Sequence, residues 1–134
     1  MNPVRFMLDT DTCSFVIRGG NERLRARVQR NASRLCVSAV TAAELRFGAR
    51  KKGSARIEDA VDFFLELVDV VPWGDEAAAR YAEIRVALES AGTPIGNMDT
   101  MIAASALAED CAIVTHNLVH FRRVAGLATQ DWMA

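Results

Sequence analysis

Cysteine is scarce in this 134-residue chain, and spacing pairs none of it: Cys13, Cys36 and Cys111 lie far apart, without a C-x-x-C. An odd, dispersed set among apolar neighbours excludes a disulfide framework and a structural zinc knot. It points to buried, reduced thiols and a cytoplasmic location. No apolar run approaches the roughly 20 residues that a membrane helix needs, and nothing near the start reads as a signal peptide, so no membrane partner is expected. There is no glycine-rich phosphate loop, no G-x-S-x-G turn and no evident Cys–His pair, which removes nucleotide-cradling and acyl-enzyme chemistries. Repeats and low-complexity stretches are also absent. What remains is 51% apolar and 25% charged residues, a globular composition. The length fits one domain, 1–134.

The net charge of −1 conceals a lopsided distribution. Eleven Lys/Arg face only Glu22 and Glu44 between Arg18 and Arg56, a local excess of +9, whereas residues 57–134 carry −9. A basic segment on an acidic body suits a polyanion or an acidic protein partner, and equally a pair of solvated helices whose arginines face water. Arg23, Arg25, Arg27 and Arg30 are the densest part of it and the candidates for contact with such a partner.

Patterning predicts strands at 4–8, 35–38, 68–71, 112–115 and, weakly, 127–129. They alternate with helices at about 11–18, 22–31, 41–52, 55–68, 76–91 and 98–109. Ile57, Val61, Phe64 and Val68 form one apolar stripe. Ser54 and Asp75 stand where helix caps belong, and Gly92 with Pro94 stops a helix. Short strands alternating with helices imply an α/β fold, a parallel sheet covered on both faces with right-handed crossovers.

Against that frame three carboxylates stand out. Asp9 ends the apolar run Val4–Leu8, Glu44 lies one turn into the helix after strand 35–38, and Asp99 follows the loop Pro94-Ile95-Gly96-Asn97. The carboxyl ends of parallel strands share one edge of the sheet, where α/β proteins place their sites. Acids gathered there repel one another unless a hard cation joins them. Each also has an ordinary role: Asp9 as a helix cap, Glu44 and Asp99 as first-turn acids favoured by the helix dipole. Asp11 reads as a cap, and capping by Asn97 would leave Asp99 free. Thr115 and Asn117, after strand 112–115, offer oxygen ligands or an Asx turn. His116 and His120 have a metal-like spacing but no third ligand nearby, so they read as surface or packing residues.

Four blocks together resemble the PIN-domain family, most closely its VapC-type toxins: MLDTDTCSFVI (7–17), SAVTAAELRFGA (38–49), GTPIGNMDTMIAASAL (92–107) and IVTHNLVHFRRVAGL (113–127), with Trp132 near the end. They occur in the family's order over nearly the whole chain. The resemblance implies a three-layer α/β/α domain with a mostly parallel central sheet of four to five short strands. It implies that Asp9, Glu44 and Asp99 form an acidic site for Mg2+ or Mn2+, with Asn117 where many members keep a fourth acid. Asp11 departs from the Asn common at its position. The implied activity is metal-dependent endoribonuclease action, RNA phosphodiesters being hydrolysed by a metal-activated water. The implied partners are RNA, a cognate antitoxin and a second copy in a homodimer, for which Phe47 and Trp73 are candidate exposed contacts.

Two rival readings use the same residues. Leu8-Asp9-Thr10-Asp11-Thr12 mimics the D-x-D-x-T of haloacid-dehalogenase-type phosphatases, with Asp9 as nucleophile and Asp11 as acid–base partner. That chemistry also needs a placed lysine and a later acidic pair. Lys51 and Lys52 are the only lysines, and Asp99 has no adjacent acid. The second rival is a catalytically inactive PIN-like binding module that holds a partner's arginine in the acidic crevice.

Overall fold

The computed structural model describes residues 4–134; residues 1–3, the opening of the expected domain, lie outside the described residues. Five parallel strands run in the order β3-β2-β1-β4-β5, with β1 Arg5–Leu8, β2 Leu35–Ser38, β3 Asp69–Val71, β4 Cys111–Val114 and β5 Thr129–Gln130. The helices are α1 Thr10–Arg18, α2 Glu22–Arg30, α3 Ala39–Lys52, α4 Ala55–Leu67, α5 Asp75–Ser90, α6 Asn97–Ala108 and α7 Leu118–Phe121. This is the expected three-layer α/β/α arrangement, and every strand pairing is parallel.

Strand alternation divides the core in two. Phe6, Leu8, Leu35 and Val37 pack with Leu24, Leu45, Val61, Phe64 and Trp132 beneath α1–α4. Met7, Cys36, Cys111 and Ile113 pack with Ile84, Leu88, Ile102 and Phe121 beneath α5–α7. Successive side chains of β1 therefore feed opposite layers, as a strand buried on both faces requires. The small residues Ala103, Ala104 and Ala106 are fully buried and let α6 approach the sheet closely. The three cysteines are free and buried, as expected.

Several boundaries differ from the sequence reading. Helix α3 starts two residues early because Ser38 caps it, its hydroxyl accepting from the Val40 amide at 3.2 Å. Ser54 caps α4 as expected. Asp75 does not cap α5: Gly74 holds the cap position and Asp75 is the first helical residue, where its charge still suits the helix dipole. Asn97 likewise opens α6 instead of capping it. Gly96 takes that position with φ +92°, a backbone conformation that side chains resist. The weak strand sits at 129–130, not 127–129. A 3-10 turn at Ala32–Arg34 and the short α7 are additions to the sequence reading. Phe47 is exposed, but Trp73 is half buried: its indole N–H donates to the Met101 carbonyl at 2.9 Å and its ring meets Tyr81 edge-on.

Candidate active site

The order in which strands are added reverses at the β1–β4 pair, although the two run parallel. One crossover leaves β1 toward β2 through α1 and α2, and β4 arrives on the other side through α5 and α6. A crevice opens at the carboxyl ends of strands at such a switch point. Asp9 sits in it, the first residue after β1.

Asp9 is almost wholly buried, 3% exposed, and takes the helix-cap role that the sequence allowed. Its Oδ1 accepts from the Thr12 amide at 2.9 Å and caps α1, while its Oδ2 accepts from the Thr115 hydroxyl at 2.6 Å. The Asp9 amide also donates to the Val114 carbonyl at 3.1 Å, so β4 clamps this residue from backbone and side chain together. Burial raises the Asp9 carboxyl above its ordinary range, more than the Thr115 and Thr12 hydrogen bonds lower it. Glu44, half buried on α3, accepts from the Thr10 hydroxyl at 2.5 Å, and that hydroxyl is also 3.3 Å from Thr41 Oγ1. Asp99, in the first turn of α6, is also raised. Burial is the main cause, the nearby charges of Asp9 and Glu44 push the same way, and His120 opposes them.

Thus Asp9, Glu44 and Asp99 come to one edge, where the first two bring their charge to bear on Asp99. Asn117 joins them: its amide donates to Thr115 Oγ1 at 2.9 Å, and its side-chain nitrogen lies 2.8 Å from His120 Nδ1. The threonine hydroxyl, not an Asx turn, therefore shapes the end of β4. His120 is a residue that sequence reasoning missed. Helix α7 swings it to within 3.6 Å of Asp99 Oδ2, so it is neither a mere surface nor a packing residue. His116 points elsewhere, its Nδ1 3.0 Å from Asp131 Oδ2, and the two histidines do not share a site. Asp11 is exposed, facing the crevice beside α1 and α3, and is no cap; Asp9 does that work.

The basic candidates divide differently from expectation. Arg23, Arg25, Arg27 and Arg30 are exposed on α2 but do not line the crevices beside the acids. Arg18, Lys52 and Arg56 do: with Thr10, Asp11 and Glu44 they border an opening of about 680 Å³ between α1, α3 and α4. Only the packing of three helices brings them there, and no local pattern announces it.

The donor set suits a hard cation. Asp9, Glu44 and Asp99 offer oxygen only, and among the described residues no Lys or Arg is ion-paired to them. Oxygen ligands favour Mg2+ or Mn2+ over soft metals. Among the described residues no three of His, Cys, Asp or Glu close into a ready-made cage. Mg2+ does not need one, because it keeps several waters and is held by one or two carboxylates.

A family model described as the PIN domain matches residues 6–127. The chain is 38% identical over 130 residues to the tRNA(fMet)-specific endonuclease VapC of Salmonella typhimurium, covering 96% of this chain and 98% of that one. It is 35% identical over 135 residues to ribonuclease VapC2 of Haemophilus influenzae, covering 97% and 99%. In three dimensions it superimposes on a chain of the DNA-bound VapBC structure from Salmonella typhimurium with a TM-score of 0.90, at 38% identity and covering 97% and 99%. An all-parallel α/β/α domain with acids at its switch point defines the class, and the chain belongs to the PIN-domain family, in its VapC branch. The phosphatase reading of Asp9 and Asp11 is not favoured.

Proposed function

We propose that this chain is a divalent-cation-dependent endoribonuclease, the toxin of a toxin–antitoxin pair, with Asp9, Asp99 and Glu44 as its metal-binding acids. The observation that carries this reading is the buried Asp9 carboxylate, held by Thr12 and Thr115 at the switch point, with its charge and that of Glu44 reaching Asp99. Its relatives are named as ribonucleases, and the solved structure it matches is of a VapBC complex.

The residues have distinct tasks. Thr115 and the Thr12 amide fix both oxygens of Asp9, Thr10 steers Glu44, and His120 with Asn117 borders Asp99. A bound Mg2+ or Mn2+ supplies Lewis-acid polarisation of a phosphoryl oxygen and a lowered pKa for water. Lys52 and Arg56 stand along the crevice, placed to hold backbone phosphates of single-stranded or looped RNA. Hydrolysis then leaves 5′-phosphate and 3′-hydroxyl ends. An antitoxin blocks the same acids with a basic side chain, a strong charge-assisted pairing. Phe47 on α3 and Phe63 and Leu67 on α4, all exposed, are the apolar material for a homodimer contact. Among the described residues no helix is long and apolar enough to cross a membrane, and three reduced, buried thiols suit the cytoplasm.

The test is cleavage of tRNA, rRNA and mRNA substrates with added Mg2+ or Mn2+ and with EDTA. Cleavage that survives EDTA undiminished overturns the metal dependence. Mn2+ binding by calorimetry with no hydrolysis of any substrate leaves only a binding module.

Two further outcomes are expected. Thr115→Val removes the hydroxyl that holds Asp9, and partners of this kind are worth about 10–100-fold in metal affinity or activity. An unchanged Mn2+ affinity and rate would reject that role. Lys52→Gln with Arg56→Gln should flatten the dependence of log affinity on log salt by about 1.4, since each single-strand phosphate contact contributes about 0.7. The combined replacement of Arg23, Arg25, Arg27 and Arg30 is read the same way, and an unaltered slope assigns α2 to a protein partner.

A further inference from the structure

We propose that the crevice between α1 and the β4–α7 turn is a nucleobase subsite beside the acids, one that prefers bases carrying an exocyclic amino group. Resting on the ribonuclease reading, this inference adds a specificity-determining element to it.

The crevice holds about 500 Å³ and is lined by Asp11, Phe15, Arg18, His116 and Asn117. Three of these present flat groups. The Arg18 guanidinium lies 4.7 Å from the centre of the Phe15 ring, and its Nε donates to the Ser14 carbonyl at 3.4 Å, which fixes the plane. His116 is 62% exposed along its side chain, yet its ring does not swing freely. Asp131, only 11% exposed, holds Nδ1 at 3.0 Å and itself accepts from the Met133 amide at 2.9 Å. Bases freed from a helix stack on aromatic rings and guanidinium planes, and their edges are read by hydrogen bonds.

Polar groups supply that reading. Asp11 is an exposed carboxylate and accepts only, so it favours an amino-bearing edge (adenine, cytosine, guanine) over the O4 of uracil. Asn117 lies at the same edge, with one atom of its side-chain amide 2.8 Å from His120 Nδ1 and the other available to a base edge. A phosphate fits poorly here: Asp11 repels it, and the cation present is already stacked on Phe15. Position agrees as well. Asp11 is two residues beyond Asp9, and Asn117 connects to Asp9 through Thr115, so a base bound here flanks the phosphate presented to the acids.

The test uses the full chain and fluorescein-labelled single-stranded RNA decamers, oligo(A), oligo(C) and oligo(U), with binding measured in EDTA. Oligo(A) and oligo(C) are expected to bind about tenfold more tightly than oligo(U), the scale of one stacked and paired base. Arg18→Ala and His116→Ala should each remove about tenfold from oligo(A) binding without changing the salt slope, and Asp11→Asn should abolish the preference over oligo(U). An oligo(C) decamer containing 5-iodocytidine should photocrosslink to the peptides bearing Phe15 or His116. Adducts confined to other peptides, equal binding of all three decamers, or a slope flattened by about 0.7 in Arg18→Ala (the mark of a phosphate contact) each overturn the subsite. Adding Mg2+ or Mn2+ to the same decamers and to tRNA separates the two readings. Adducts at His116 with no cleavage of any RNA defeat the ribonuclease reading and leave the subsite. Cleavage with adducts elsewhere does the reverse, and failure of every decamer to bind defeats the subsite.

Discussion

Asp99→Asn and Asp9→Asn are each expected to lower RNA cleavage by about 10³-fold and, in EDTA, to make the protein more heat-resistant than the parent. The loss would follow from the charge stabilisation supplied by the cation that these acids are proposed to hold. That stabilisation amounts to several kcal/mol of the barrier, and each 1.4 kcal/mol is about tenfold. The gain in stability follows from the raised carboxyls. Burial opposes the charged form of Asp9 and Asp99, so the folded state binds protons that the unfolded state has already released. Stability of the metal-free parent therefore falls as pH rises from the ordinary aspartate range through the raised folded values, and above that window the cost is fully present. A neutral Asn removes it. Asn at position 9 also remains a good helix cap, so the Thr12 contact survives the change. Thermal scans from pH 4 to 8 in EDTA, with cleavage assays alongside, measure both effects. Variants that cleave at the parental rate refute the assignment of these acids. Variants that lose activity and also lose stability at neutral pH refute the electrostatic account of the site. Added Mn2+ should raise the parent's melting temperature by mass action and leave the variants unmoved.

Trp132→Ala should be the most damaging substitution away from the site, at about 3–5 kcal/mol by analogy with other buried aromatic truncations. Trp132 is 1% exposed and meets the Phe6 ring edge-on at 5.1 Å, and its indole N–H donates to Gln130 Oε1 at 2.8 Å. It thus packs the chain beyond β5 onto the α1–α4 face of the central strand. Trp132→Phe keeps a ring against Phe6 but loses the hydrogen bond and part of the buried indole volume, so it should cost more than the about 1 kcal/mol of the bond alone and less than the alanine variant. Guanidinium unfolding followed by circular dichroism checks both. A cost below about 1 kcal/mol for the alanine variant would show that the cavity collapses or that the C-terminal segment is not coupled to β1.

Much of this architecture was readable from one-dimensional patterns. The strand at 35–38 and helix α4 with its stripe Ile57, Val61 and Phe64 came directly from periodicity and capping residues, because those signals are local. Asp9 was legible for the same reason: a carboxylate directly after an apolar strand has few places to go. Helix α7 was not legible. Four residues are too short for any period to register, and with it went the approach of His120 to Asp99. Gly96 displaced Asn97 from the cap because the loop demands a positive φ there, a property of backbone geometry and not of side-chain preference. The clustering of Lys52 and Arg56 beside Glu44 depends on how α1, α3 and α4 pack, and the count of arginines pointed instead to α2. Trp73 looked like a surface aromatic until the Met101 carbonyl gave its indole a partner.

The hydrogen bond from Thr115 to Asp9 joins residues 106 positions apart in the chain. Ribosomes add about 5–20 residues per second, so the first acid emerges on the order of 5–20 seconds before the strand that secures it. Throughout that interval the nascent polypeptide carries Asp9 without the hydroxyl that fixes its second oxygen, so this edge of the sheet is completed only late in synthesis.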